Sequence, residues 1–171
     1  PGIAEAGAIG RLVKLLHEEN PDAQKNAAGA LGALAGVGGR KIQELITKEG
    51  GIMPLVKLLE PGYIVHVYAA TALAELARRY PANQTAVAGK NAIRLLVDLL
   101  ITPEEEEAAK AASASALWSL AAAHAENQKL IAKEGGLEPL CELIGVGNFD
   151  TQREAAGALA AIALDNPANV E

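Results

Sequence analysis

Aromatic residues are almost missing: one Trp, one Phe and three Tyr make up 3% of a 171-residue chain. A core without large rings has to be filled by smaller side chains brought close together. Runs of β-branched and aromatic residues with period-two alternation are also scarce, which argues against a sheet. Cysteine occurs once, at Cys141, so no disulfide can form within the chain. A reducing compartment is therefore expected, and with it an intracellular location, cytoplasmic or nuclear. No uncharged apolar run reaches the ~18 residues a membrane span needs, so membrane insertion is not expected. The opening segment PGIAEAGAIG lacks the basic start and apolar stretch of a secretory signal. Excess positive charge is missing too. A net charge of −6 disfavours binding to a phosphate backbone, so nucleic acid is not an expected partner.

What the chain has in quantity is alanine, 36 copies, within an apolar half of the composition. Alanine has the best helix propensity and lets helix axes approach closely. It points to packed helices, and the length is sufficient for a sizeable core. The order within the chain is more specific. KEGGIMPLVKLL (from Lys48) returns as KEGGLEPLCELI (from Lys133), and EAGAIGRLVKLL (from Glu5) and AGKNAIRLLVDLL (from Ala88) follow the same pattern. The aligned Ile9, Ile52, Ile93 and Leu137 are spaced by 43, 41 and 44 residues. Each phrase precedes an alanine-rich one: AAGALGALA (from Ala27), AATALAELA (from Ala69), SASALWSLA (from Ser113) and AAGALAAIA (from Ala155). NQTAV (from Asn83) matches NQKLI (from Asn127), Asn169 falls in step, and Lys41 is assigned the same place in the second unit. Four occurrences in fixed order mark an internal repeat.

The spacing predicts three helices per unit. A first helix stops at a glycine pair, Gly50-Gly51 or Gly135-Gly136, able to take the left-handed turn of a helix end. A second starts near Pro54 or Pro139 and buries a stripe that in the first unit is Leu12, Val13, Leu15 and Leu16. A third is expected to open at Asn20-Pro21, Thr102-Pro103 or Asp150, with Ala27, Leu31 and Leu34 on its core face. Such a unit of ~42 residues cannot hide its apolar surface alone, so neighbours stack. The whole chain reads as one domain with units at 1–40, 41–82, 83–126 and 127–168, and 169–171 opening a fifth. The pattern is cut at both ends, which suggests a longer protein or ends that pack on something.

The order Asn-x3-Ile, Gly-Gly-Ile, Pro-Leu-Val-x-Leu-Leu, Ala-Ala-x-Ala-Leu-x-x-Leu-Ala resembles the armadillo repeat over essentially the whole chain. In flavour it is similar to catenin-like and vacuolar scaffolds and to arrays of plant U-box ubiquitin ligases. The resemblance implies an all-α, right-handed α-solenoid whose third helices line a concave groove. Positions opposite the core face of those helices are Asn26, Gly29, Ala33 and Gly36; Tyr68, Thr71, Glu75 and Arg78; Ala112, Ser115, Ser119 and Ala122; and Glu154, Gly157, Ala161 and Leu164. Importin-type arrays carry Asn and Trp ladders there. Here the Asn places hold Ala33, Glu75, Ser119 and Ala161, and the Trp places Gly29, Thr71, Ser115 and Gly157, so binding of nuclear signals in that manner is not expected.

The remaining features read structurally. The acidic run from Glu104 to Glu107 suits a helix's first turn, with Thr102 and Glu105 at capping-box spacing. Trp118 is read as packing between units, and Tyr68 as an exposed groove aromatic able to anchor a partner. Arg78-Arg79 reads as a solvated basic pair. Cys141 aligns with Val13, Val56 and Val97 and is expected to be a buried thiol. GVGGRK (Gly36 to Lys41) reads as a turn between units. The three His lie in different units without ligand spacing, so no metal and no cofactor are expected. No nucleophile has a base partner, so no catalytic residue is assigned. The function expected is a scaffold or adaptor that binds a helical or extended segment of another protein along the groove. The alternatives are the substrate-binding array of a ubiquitin-ligase-type protein, a structural part of a large complex, and a binder of basic peptides through Glu75 and Glu154.

Overall fold

The computed structural model describes residues 2, 6–103 and 105–170. The start of the first repeated phrase at Glu5, the acidic residue Glu104, and the terminal Pro1 and Glu171 lie outside them. Among the described residues there are helices and no strand. The helices are α1 (Ala8–Leu15), α2 (Pro21–Lys48), α3 (Ile52–Lys57), α4 (His66–Ala77), α5 (Pro81–Ala88), α6 (Ala92–Ile101), α7 (Glu107–Ala121), α8 (Ala125–Lys133), α9 (Leu137–Val146) and α10 (Phe149–Ala163), with a 3₁₀ turn at Pro167–Asn169.

The third helices of successive units are the first half of α2, then α4, α7 and α10. They stack on one another in chain order, and each also packs on the second helix of its own unit (α1, α3, α6, α9). The seam between them is built from small residues. Ala27, Ala28, Ala69, Ala70, Ala72, Ala114, Ala116, Ala155 and Ala158 are fully buried, with Leu31, Leu73, Leu117 and Leu120 between them. Alanine thus sets the helix separation, and leucine fills the space that remains.

The turn from first to second helix follows the glycine pairs as read: Gly50 and Gly135 both have φ of 81°. In the third unit Asn91 takes the left-handed place (φ 64°), a role asparagine fills at lower cost than other side chains. The turn from third to first helix is as regular, with Arg79, Ala123 and Asp165 all at φ 54°.

Several expectations are corrected. Leu15 is 40% exposed, because Ile9, Val13 and Leu16, at i, i+4 and i+7, already define the buried face of α1. GVGGRK does separate two helices, as expected: the helical run Pro21–Lys48 is broken at Gly39 (φ 57°, ψ −155°), which takes the same left-handed place as Arg79, Ala123 and Asp165. The third helix of the first unit opens at Pro21 as expected, with the Asn20 side chain accepting from the amides of Asp22 and Ala23. That of the third unit opens at Glu107, five residues after Thr102. Thr102 is extended before Pro103, and its hydroxyl donates to Asp98 O at 2.7 Å, closing α6 rather than capping α7. Glu105 is taken by His66 Nδ1 at 2.8 Å, so there is no capping box. Only Glu107 of the acidic run lies in the first turn of α7. Its carboxylate accepts the Thr151 hydroxyl at 2.9 Å, tying α7 to α10. In the fourth unit the cap is Asn148, which accepts from Thr151 N, and α10 begins at Phe149 rather than Asp150.

Cys141 is exposed. Its counterparts Val13 and Val97 lie under Gly51 and Gly136 of the following unit, and residues 1–171 contain no next unit to lie over Cys141. One thiol is therefore expected to react with a disulfide reagent in the folded protein. A thiol reactive only after denaturation would contradict its placement.

The aligned buried alanines Ala27, Ala69 and Ala155 have Ser113 as their fourth member. Its hydroxyl is fully enclosed and has no hydrogen-bond partner. Ser113→Ala is expected to raise unfolding stability by about 1 kcal/mol, measurable as a higher denaturant midpoint at unchanged slope.

Candidate groove of the third helices

The groove depends on how each third helix ends. Its last carbonyls have no intrahelical donor, and buried amide side chains of the first helices supply one. Asn83 Nδ2 donates back to Leu76 O at 2.9 Å, Asn127 Nδ2 to Leu120 O at 2.9 Å and Asn169 Nδ2 to Ile162 O at 3.2 Å. The neighbouring glutamine reaches forward. Gln43 Nε2 donates to Glu75 O (2.7 Å) and Arg78 O (3.1 Å), Gln84 Nε2 to Ser119 O (2.8 Å) and Ala122 O (2.9 Å), and Gln128 Nε2 to Ala161 O (2.9 Å). α5 and α8 are therefore each tied to the third helix before them and the third helix after them. Counting back from the glycine pair, the partner of Asn127 in the second unit is Ile42, not Lys41. Gln43 keeps the forward bond there while the backward one is absent.

On the surface so framed, Asn26, Ala33, Thr71 and Arg78 are exposed, and Gly29, Tyr68, Glu75, Ser115, Ser119, Glu154 and Gly157 are half-buried. Ala161 is nearly closed off at 8% exposure, as is Ala112. Tyr68 lies against Gly29, with Lys25 Nζ 5.3 Å from its ring centroid. The charges of the row neutralise one another locally. Arg78 makes a fork to Glu75 (2.6 and 3.1 Å), and Arg153 a fork to Glu154 (2.7 and 3.1 Å) with Asp150 at 3.0 Å. The Glu154 hydrogen bond and charge raise the Arg153 pKa above its ordinary value.

The apolar cleft on this surface was not legible as a site. Trp118 sits where the other units have the small residues Gly32, Ala74 and Ala160. Its ring lies across Gly157 of α10, so it does pack between units; yet it is 41% exposed and forms one wall of an apolar cleft of about 630 Å³. The other walls are Arg79, Pro81 and Gln84 on one side and Ala122, Ala160 and Leu164 on the other. A smaller, more polar cleft with Ser115, Ser119 and Glu154 adjoins it across the indole. Of these, the sequence presents Arg79 only as part of a solvated basic pair and gives no sign of Pro81 or Ala160. The available signal was one large residue in a column of small ones.

A model described as Armadillo/beta-catenin-like repeat matches residues 3–36 and 124–163. Vacuolar protein 8 of Schizosaccharomyces pombe is 28% identical over 163 residues, 95% of this chain and 29% of that protein. Catenin beta of Urechis caupo is 30% identical over 166 residues, 96% of this chain and 17% of that protein. The chain thus spans less than a third of the length of these curated relatives. A crystal structure of computationally designed armadillo repeat proteins for modular peptide recognition superposes with a TM-score of 0.83. It is 30% identical, over 94% of this chain and 67% of that one. Repeated sequence, stacked third helices and these likenesses agree: the chain belongs to the armadillo repeat family.

Proposed function

We propose that the chain is a protein-binding scaffold that holds a segment of another protein along the groove of its third helices, and that it performs no catalysis. The observation that carries the reading is the continuity of this surface. Small side chains from α2, α7 and α10, with Thr71 of α4 between them, let a second backbone approach, and the Trp118 cleft supplies apolar area beside them. The designed relative made for peptide recognition supports the same use of the fold. Binding suits the surface better than turnover, since its carboxylates Glu75 and Glu154 are held by arginines and the hydroxyls of Ser115 and Ser119 make no contact with a base among the described residues. The same forks weaken the reading as a binder of basic peptides, whose cations would have to displace Arg78 and Arg153. Within a longer protein, the segment serves equally as the recognition array of a ligase or as a fixed part of an assembly.

The test uses linear peptides selected from a phage-displayed random library on the wild-type protein. The double variant Ala33→Arg, Ser119→Arg is expected to lose the selected peptides while keeping its helical circular dichroism. Arg94→Glu, on the exposed face of α6, is expected to keep them. Equal binding by all three proteins would place the peptides outside the groove and refute the reading.

A further inference from the structure

Within that groove reading, we propose that the Trp118 cleft takes a bulky apolar side chain of the partner segment, and that a carboxylate beside it pairs with Arg79. The apolar half of the proposal comes from the lining. Trp118, Ala122, Ala160 and Leu164 present carbon to a cleft of about 630 Å³, a volume in the range of small-ligand sites and larger than one side chain fills. Leu164 is 57% exposed and Trp118 41%, so an incoming leucine or phenylalanine removes both from water at once. The fit of Trp118 is set from below. A Cβ at Gly157 would stand 2.5 Å from the ring, so the indole rests on the α10 backbone and is not free to collapse into the cleft and close it.

The charged half comes from elimination. Four charged side chains stand at the cleft and its polar neighbour or beside them: Arg78, Arg79, Glu154 and Glu75. Arg78 is forked to Glu75 and Glu154 to Arg153. Arg79 has no ion pair or side-chain hydrogen bond among the described residues, and it lines both clefts. Its position is fixed by the backbone, because it occupies the left-handed turn after α4 that Ala123 and Asp165 occupy after α7 and α10. An unneutralised guanidinium at the rim of an apolar cleft favours a ligand that is apolar and acidic together, and repels a basic one.

Trp118 is the chain's single tryptophan, so occupancy can be read directly from its emission. Peptides are selected on the wild-type protein from a tryptophan-free phage-displayed random library, synthesised and titrated. The expected peptides carry Leu or Phe next to Asp or Glu. On binding they shift Trp118 emission to the blue and shield it from acrylamide. Arg79→Glu weakens them about tenfold or more, Arg79→Lys retains most of the affinity, and added salt weakens the wild-type complex. Peptides that leave Trp118 emission unchanged, or bind Arg79→Glu as well as wild type, overturn the assignment of this cleft. The broader groove reading then survives if Ala33→Arg, Ser119→Arg still abolishes their binding. Failure to enrich any peptide overturns both.

Discussion

Replacing Asn127 with leucine is expected to destabilise the fold by about 1–3 kcal/mol, because it strips the enclosed Leu120 carbonyl at the end of α7 of its donor. Asn127 is 3% exposed, and its amide donates to Leu120 O at 2.9 Å and Gln84 O at 3.3 Å. Leucine repeats the branched shape of asparagine and is larger, so the loss comes from the unpaired Leu120 oxygen rather than from a cavity. The consequence extends beyond one hydrogen bond. In a stack whose units touch only their neighbours, coupling between units is what makes unfolding a single event. Weakening the α7–α8 tie is expected to split the denaturant transition, the fourth unit melting before the rest. Native-state hydrogen exchange would show it as early loss of protection confined to α8, α9 and α10. A variant with wild-type midpoint and one transition would show that stacked alanines alone hold the units in register.

Gly157→Val is expected to have a comparable effect through a different mechanism. A Cβ on Gly157 would lie 2.5–2.7 Å from three atoms of the Trp118 ring, and the rest of a valine would lie closer still. The indole has to leave α10. That costs packing between the third and fourth units, about 1–3 kcal/mol as for other overpacked sites, and it pushes the ring into the cleft it now lines. Two readouts separate the variant from a merely loosened protein. Tryptophan emission should move to the red as the ring gains water, and selected groove peptides should lose affinity even at temperatures where the variant is fully folded. Gly157→Ala adds the Cβ alone and should show both changes in smaller measure.

The repeat was legible because its physics is local. Glycine at Gly50 and Gly135, proline at Pro21 and leucine at helical spacing each report on their own few residues, so most of the helices are legible in the sequence. What escaped depends on partners distant in sequence. Thr102 has the spacing of a cap for α7, but Pro103 holds it extended and its hydroxyl closes α6 instead. Glu105 answers His66, 39 residues away. Cys141 aligns with buried valines, but the residues that bury those valines belong to the next unit. The Asn and Gln ladders were visible as a sequence match, though their work is tertiary and could not be read from spacing. The one-residue slip from Lys41 to Ile42 arose because no asparagine marks that place in the second unit. The groove was placed by helical phase alone, which gave a row of exposed or half-buried residues with Ala161 nearly closed off. Phase says nothing of depth, so the Trp118 cleft, assembled from three units, was not found.

If buried amides lock the units in register, the third helices offer a peptide one continuous surface. An amide chemical-shift map of the 17.6 kDa chain titrated with a selected peptide reads this out. Perturbations are expected at Thr71, Ser115, Ser119, Ala122 and Gly157, together with the Trp118 indole. Perturbations centred on α3, α6 and α9 would contradict it.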